Sequence, residues 1–131
     1  MIHSAEISAH CAKWVETFIV KFNICPFARA EMEKQAIRYA VVPELEPEKA
    51  MMALLDECRR LDEQPDIATT LVIFPELLAD FEDYLDFVAV AERLLIAQGY
   101  EGLYQLASFH PDYCFEGESP ADPANYTNRS P

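Results

Sequence analysis

Residues 36–74 read AIRYAVVPELEPEKAMMALLDECRRLDEQPDIATTLVIF, and this stretch decides the fold. Ala36–Val42 and Ala68–Phe74 are rich in β-branched and aromatic residues, which is typical of strands. Between them, Pro47 stands at a helix start, and apolar residues at helical spacing continue to a break before Pro65. A connection of this length favours a helical, right-handed crossover between two parallel strands.

Before this stretch, the pattern predicts two helices. Apolar residues recur at helical spacing from Ile7 to Phe22, with charged residues between them, so we expect an amphipathic helix that ends near Asn23. Proline suits the first position of a helix, and Pro26 therefore predicts a second, short helix through about Lys34.

After this stretch, Asp80 is a good cap for a long helix that stops at Gly99. Leu103–Phe109 is predicted as a third strand, and Pro111–Pro131, which has no clear periodicity, as mostly loop.

These elements predict a single α/β domain over residues 1–131. Its sheet is expected to be small, three-stranded and parallel, in the order β-α-β-α-β, and preceded by the N-terminal helix. A ferredoxin-like α+β fold is the alternative, and it needs a fourth strand around Tyr113–Phe115.

Charge and composition narrow the classes of partner. The chain has 23 acidic and 10 basic residues, a net charge of −13, so we expect neither nucleic acid nor a membrane as partner. The N-terminus lacks a basic start followed by an apolar run, and a cytoplasmic location is expected. The four cysteines form no CxxC pair and should be free thiols, and the three glycines form no phosphate-binding loop.

Three residues are candidates for catalysis. Cys25 precedes Pro26, and a thiol at the start of a helix would be stabilised as a thiolate nucleophile; the alternative, which we favour, is a small apolar residue that fits a tight helix-to-helix turn. His110 follows a predicted strand, where it could act as a base oriented by the Asp112 carboxylate. Alternatively, the His110 ring bonds a loop carbonyl and Asp112 satisfies a turn.

Further polar residues are candidates for ligand binding: Tyr113, Asn125, Asn128 and Arg129. A loop carrying them could fold over the strand ends, with Arg129 binding a carboxylate or phosphate. An ordered tail whose side chains bond the backbone is the alternative. A zinc site would have to recruit Cys25, Asp112 or Cys114 beside His110, and no metal site is predicted.

Several longer motifs carry a family resemblance: FNICPFA (22–28), TTLVIFP (69–75), DFEDYLDF (80–87), QLASFHPDYCFEG (105–117) and NYTNRSP (125–131). With these motifs the chain resembles the bacterial DUF1415 family. The resemblance implies no activity, substrate or cofactor. Members continue past NYTNRSP into a helical tail, so we expect this chain to lack that segment.

Two functions follow as hypotheses. In the first, the carboxyl edge of the sheet carries a catalytic or small-molecule site, in which Cys25 is the nucleophile, His110 the base and Arg129 the clamp for a small anionic ligand. In the second, the protein is a non-catalytic binding or assembly protein, and the same residues are structural. The sequence names no cofactor for either.

Overall fold

The computed structural model describes residues 3–131, and the chain divides after Leu77 into two compact units. The elements in chain order are α1 (Ser4–Trp14), a π-helical segment (Val15–Val20), α2 (Ala28–Glu33), β1 (Ile37–Val41), α3 (Pro47–Glu63), β2 (Thr69–Ile73), α4 (Phe81–Ala97) and a 3-10 helix (Pro123–Asn128). Across residues 3–131, no helix has the length and apolar character needed to cross a membrane. That the chain is one domain stays a prediction.

The strand–helix–strand prediction is confirmed in the first unit. β1 and β2 pair in parallel, in a register that runs from Ile37 opposite Thr69 to Val41 opposite Ile73. α3 connects the two strands, and both strands fall within one residue of their predicted ends. The mixed helix and strand class is therefore correct.

The two faces of this sheet differ in chemistry because successive strand residues point to opposite sides. On one face, Ile37, Tyr39 and Leu71 pack against the buried core of the π-helical segment. On the other face, the Arg38 Nε donates to the Glu57 Oε1 of α3 at 2.7 Å. Glu57 is buried, at 8% exposure, and needs this partner because an unpaired buried carboxylate is costly.

The first helix ends where the sequence predicts. Asn23 has a φ of 52°, in the left-handed region that asparagine tolerates. The Ile24 N–H donates to the Ile19 carbonyl at 2.9 Å, and the Asn23 N–H donates to the Val20 carbonyl at 3.1 Å. This pair of bonds is the Schellman motif, which satisfies the last carbonyls of the helix.

The second unit begins with a helix whose predicted start and stop signals are both used. The Asp80 carboxylate caps α4 by accepting the Asp83 N–H at 3.0 Å. Gly99, with a φ of 86°, ends the helix in the left-handed conformation. The stripe that α4 buries contains Phe87, Ala91 and Leu95.

The predicted third strand is not found. Among the described residues the sheet has two strands, and residues 104–110 have no regular secondary structure and no strand partner. Residues 113–115, which the ferredoxin-like alternative needs as a strand, are also irregular. Side chains that are distant in sequence, rather than a neighbouring strand, bind the Phe109 N–H and the Ser108 carbonyl at the end of this segment.

Candidate functional site

His110 lies at the centre of the second unit with only 5% of its surface exposed. Its Nδ1 accepts the backbone N–H of Asp112 at 3.0 Å. Its Nε2 lies 3.0 Å from the Leu78 carbonyl, and since a carbonyl only accepts, Nε2 carries the proton and donates it. Both ring nitrogens are therefore bonded to the backbone. This is the alternative arrangement, in which the His110 ring bonds a loop carbonyl.

Aromatic rings enclose this imidazole. The ring centroids of Phe81 and Tyr84, both on α4, lie 5.3 Å and 5.2 Å from that of His110. Leu78 presents its carbonyl from a left-handed backbone, with a φ of 66°, which costs a leucine about 1 kcal/mol. A strained residue here indicates that the surrounding contacts hold it in place.

Asp112 contacts the ring through its main chain, and its side chain is exposed. The predicted orienting role of its carboxylate therefore has no support in the geometry. The N–H of this residue closes a tight turn back onto the histidine that precedes it by two residues, which is the behaviour of a turn residue.

Tyr113 and Tyr84 add two further links. The Tyr113 hydroxyl lies 3.3 Å from the Ser108 hydroxyl, and its ring packs 5.2 Å from that of Phe81. The Tyr84 hydroxyl accepts the Phe109 N–H at 3.0 Å. Burial raises the pKa of Tyr84 because the phenolate form would lose its hydration, although the Phe109 N–H opposes this shift.

Asn125 has no exposed surface. Its Oδ1 accepts the Phe115 N–H at 2.9 Å, and its Nδ2 donates to the Ser119 carbonyl at 2.9 Å and approaches the Cys114 sulfur at 3.9 Å. A single amide thus supplies the acceptor and the donor that the irregular loop 114–119 lacks. This is the bonding pattern of a structural asparagine.

Asn128 and Arg129 fasten the end of the chain. The Asn128 Nδ2 donates to the Ser108 carbonyl at 2.9 Å, while the Asn128 carbonyl accepts the His110 N–H at 3.0 Å. The Arg129 Nε donates to the Tyr113 carbonyl at 2.9 Å, and its Nη2 donates to the Pro120 carbonyl at 2.8 Å. The guanidinium also lies 4.8 Å from the centre of the Tyr126 ring.

Six of the seven predicted site residues therefore meet in the second unit. We call them the C-terminal polar network, which consists of His110, Asp112, Tyr113, Asn125, Asn128 and Arg129. The QLASFHPDY and NYTNRSP motifs lie against each other through this network, as the bonds from Asn128 to residues 108 and 110 show. Most of its bonds run from a side chain to the backbone.

Cys25 belongs to the first unit and is exposed. The short helix predicted from Pro26 begins at Ala28, and Phe27 is its N-cap, so Cys25 lies two residues before the cap. Its carbonyl accepts the Ala28 N–H at 3.3 Å. The stabilisation of a Cys25 thiolate by the helix start, and the pairing of Cys25 with His110, stay predictions.

Sequence reasoning missed three contributors to the network. Leu78 carries no signal, since leucine rarely adopts a positive φ. Tyr84 falls on the apolar stripe of α4, and its hydroxyl alone could have suggested a bonding role. Ser108 contributes its carbonyl and hydroxyl from within the predicted strand.

Metal chemistry receives no geometric support from the described residues. Across residues 3–131, no three or more histidine, cysteine or acidic side chains are grouped so that they could hold an ion. The Cys114 thiol, a candidate for zinc binding, donates instead to the Glu118 carbonyl at 3.4 Å.

Comparison with known proteins gives one match. The model of the DUF1415 family, described as a protein of unknown function, matches residues 6–131. No curated protein and no solved structure matches the chain. Because the match covers nearly every residue, the chain belongs to the DUF1415 family.

Proposed function

We propose that the protein is a non-catalytic binding or assembly protein, and that the C-terminal polar network stabilises the fold of the irregular C-terminal segment. The observation that carries the proposal is the use of both His110 ring nitrogens by backbone partners, the Asp112 N–H and the Leu78 carbonyl. A general base needs a free lone pair within reach of a substrate proton. The lone pair of this ring is occupied, and the ring is buried.

The same reasoning extends to the proposed anion clamp. Two donors of the Arg129 guanidinium bind main-chain carbonyls, of Tyr113 and Pro120. An arginine that recognises carboxylate or phosphate usually presents two parallel N–H groups to the ligand. The guanidinium is better suited to holding the tail than to capturing a small anion.

The net charge and the cysteines of the chain bear on its partner and its cellular location. A net charge of −13 repels nucleic acid and anionic membranes, so a protein partner fits this role better than either of them, and the free cysteines fit a reducing, cytoplasmic location.

A Cys/His-dependent enzyme is the second candidate, because the Cys25 thiol is free and exposed. Its site would combine Cys25, His110 and Asp112 with a small anionic ligand at the carboxyl edge of the sheet. The two candidates predict different behaviour for the same substitutions, since only the structural role makes folding depend on His110.

The test compares His110→Ala with Cys25→Ser in thermal unfolding and in iodoacetamide labelling across pH. We expect His110→Ala to lower the melting temperature by several degrees, because two bonded backbone groups lose their partner. Cys25→Ser should leave it unchanged, since the thiol is exposed. A His110→Ala variant of normal stability, together with a Cys25 that alkylates faster than a model thiol near neutrality, would overturn the proposal in favour of the enzyme.

A further inference from the structure

β1 uses only one of its two edges. The Ala68 N–H donates to the Ala36 carbonyl, and the Val42 N–H donates to the Ile73 carbonyl, so the even-numbered residues around β1 face β2. Because backbone groups alternate between the two edges of a strand, the N–H and C=O groups of Ile37, Tyr39 and Val41 point away from β2. Among the described residues, no backbone bond outside the β1–β2 ladder involves these three.

The free edge has no feature that blocks strand pairing. Proteins protect such edges with proline, lysine or inward-pointing charges. The β1 residues whose backbone groups point away from β2 are an isoleucine, a tyrosine and a valine, none of which blocks pairing. The nearest proline, Pro43, lies beyond the strand. The one charged side chain of β1, Arg38, is engaged with Glu57.

An open groove lies beside this edge, within the first unit. It has a volume of about 480 Å³, and its walls are one face of α1, the start of the π-helical segment, the end of α2 and the strand itself. The lining combines the apolar Ala9, Ala12, Met32, Ile37 and Tyr39 with the polar Lys13, Glu16 and Gln35, so a basic segment would pair with Glu16 and keep its charges away from Lys13. The two alanines on α1 leave room opposite the larger β1 side chains. A strand added to β1 would direct alternate side chains to this face of the sheet.

Charge indicates the kind of chain that would bind. Residues 1–77 contain 13 acidic and 8 basic residues, and the whole chain has a net charge of −13. A second copy of the protein would bring the same negative charge, whereas a basic segment is attracted. Backbone pairing supplies affinity in strand addition, and the pockets for alternate side chains supply specificity.

We propose that the free edge of β1 binds an extended, basic segment of a partner protein by strand addition, with alternate apolar side chains seated in the α1–β1 groove. The proposal rests on the binding function proposed above and names the class of partner. It involves the first unit only, so its outcome is independent of the role of the C-terminal polar network.

The experiment measures binding of a fluorescent seven-residue peptide that alternates lysine and valine, by anisotropy at low ionic strength. A peptide of the same sequence with N-methyl groups on the bonding edge keeps the charge and loses the backbone donors. We expect the N-methyl peptide to bind at least about tenfold more weakly, and a glutamate–valine peptide to show no binding.

Two variants of one residue provide the matched comparison on the protein. Val41→Pro removes an outward N–H and leaves the β1–β2 ladder intact, whereas Val41→Ala keeps that N–H. We expect Val41→Pro to weaken binding about tenfold or more, and Val41→Ala to change it by about threefold at most.

Equal binding of the two lysine peptides would show that charge alone acts, and would overturn the proposal. Absence of binding by the unmethylated lysine–valine peptide would overturn it as well, and so would sedimentation that shows a dimer of the native protein and a monomer of the Val41→Pro variant. None of these results changes the stability of the His110→Ala variant, so a failure here is distinguishable from a failure of the structural role.

Discussion

Asn125→Asp is the sharpest perturbation of the C-terminal polar network, because it changes the chemistry of one buried atom and almost nothing of the shape. In the native protein the Asn125 Nδ2 donates to the Ser119 carbonyl at 2.9 Å, and the Oδ1 accepts the Phe115 N–H at 2.9 Å. The introduced carboxylate would keep the acceptor and place a second oxygen against the Ser119 carbonyl. Asn125 has no exposed surface, so water cannot compensate.

The magnitude follows from the cost of burying that charge. Desolvation raises the pKa of a buried carboxyl by a few units, and each unit corresponds to about 1.4 kcal/mol, so we expect a loss of about 3 kcal/mol at pH 7. Because the folded-state pKa lies above the unfolded value, the loss is small below about pH 4, where the protonated carboxyl can donate to Ser119, and grows as the pH rises. Asn125→Ala leaves two backbone groups without partners and should cost about 2–5 kcal/mol at every pH.

The assay is urea unfolding followed by far-UV circular dichroism between about pH 3 and pH 8. The single tryptophan, Trp14, lies in the first unit, so its fluorescence reports separately on that unit. Gln105→Glu is the matched control, since Gln105 is exposed in the same unit and the same added charge should change the free energy of unfolding by about 0.5 kcal/mol at most. An Asn125→Asp variant as stable as the control at pH 7, or one whose loss does not shrink in acid, would refute the structural role.

Three further predictions follow from other parts of the structure. Gln35 has a φ of 56° at the end of α2, a left-handed backbone conformation that glycine adopts at less cost than glutamine. Gln35→Gly should therefore raise the free energy of unfolding by about 0.5–1 kcal/mol in urea denaturation. A less stable variant would contradict the left-handed conformation of Gln35. Burial raises the pKa of Tyr84, so its contribution to the free energy of unfolding should be fully present below the unfolded-state pKa of about 10 and be lost as the pH rises above it. Tyr84→Phe should make this loss at high pH smaller. Near neutral pH the same substitution should lower the free energy of unfolding by about 1–3 kcal/mol, because the Phe109 N–H loses its acceptor. Burial and neighbouring acidic side chains raise the pKa of the Cys58 thiol, so mass spectrometry of the alkylated native protein should find Cys25 labelled well before Cys58, and the reverse order would contradict the burial of α3.

The sequence predicts the helices and the parallel strand pair well because their signals are local. Pro47 and the apolar face behind it mark α3, and the Asp80 cap and the Gly99 stop mark α4. Most residues of the two paired strands are half-buried, and their apolar, β-branched runs are the local signal that predicts them.

The third strand is predicted from composition alone, and the structure does not contain it among the described residues. Leu103–Phe109 has strand-like composition, but strand composition reports only that a segment is extended and partly buried. The Phe109 N–H is bound by the hydroxyl of Tyr84, and the Ser108 carbonyl by the amide of Asn128. These partners are 25 and 20 residues distant in sequence, beyond the reach of any periodic pattern.

The sequence directs attention to the residues of the C-terminal polar network, whereas their roles as site residues stay predictions. Polar residue types cluster in HPDY and NYTNRSP, and hydrogen bonds of Asn128 join the second segment to residues 108 and 110. Composition does not distinguish a ring nitrogen that faces a substrate from one that faces a carbonyl. That distinction depends on the partner Leu78, which lies 32 residues away and has no sequence signature.

Amide hydrogen exchange tests the central claim most directly. The N–H groups of His110, Asp112 and Phe115 lie in irregular chain, yet they are bonded to the Asn128 carbonyl, to His110 Nδ1 and to Asn125 Oδ1. We predict that their exchange is slowed about a hundredfold or more relative to an unstructured peptide, an opening free energy of about 3 kcal/mol. Exchange of these three amides at the rate of an unstructured peptide would contradict the account.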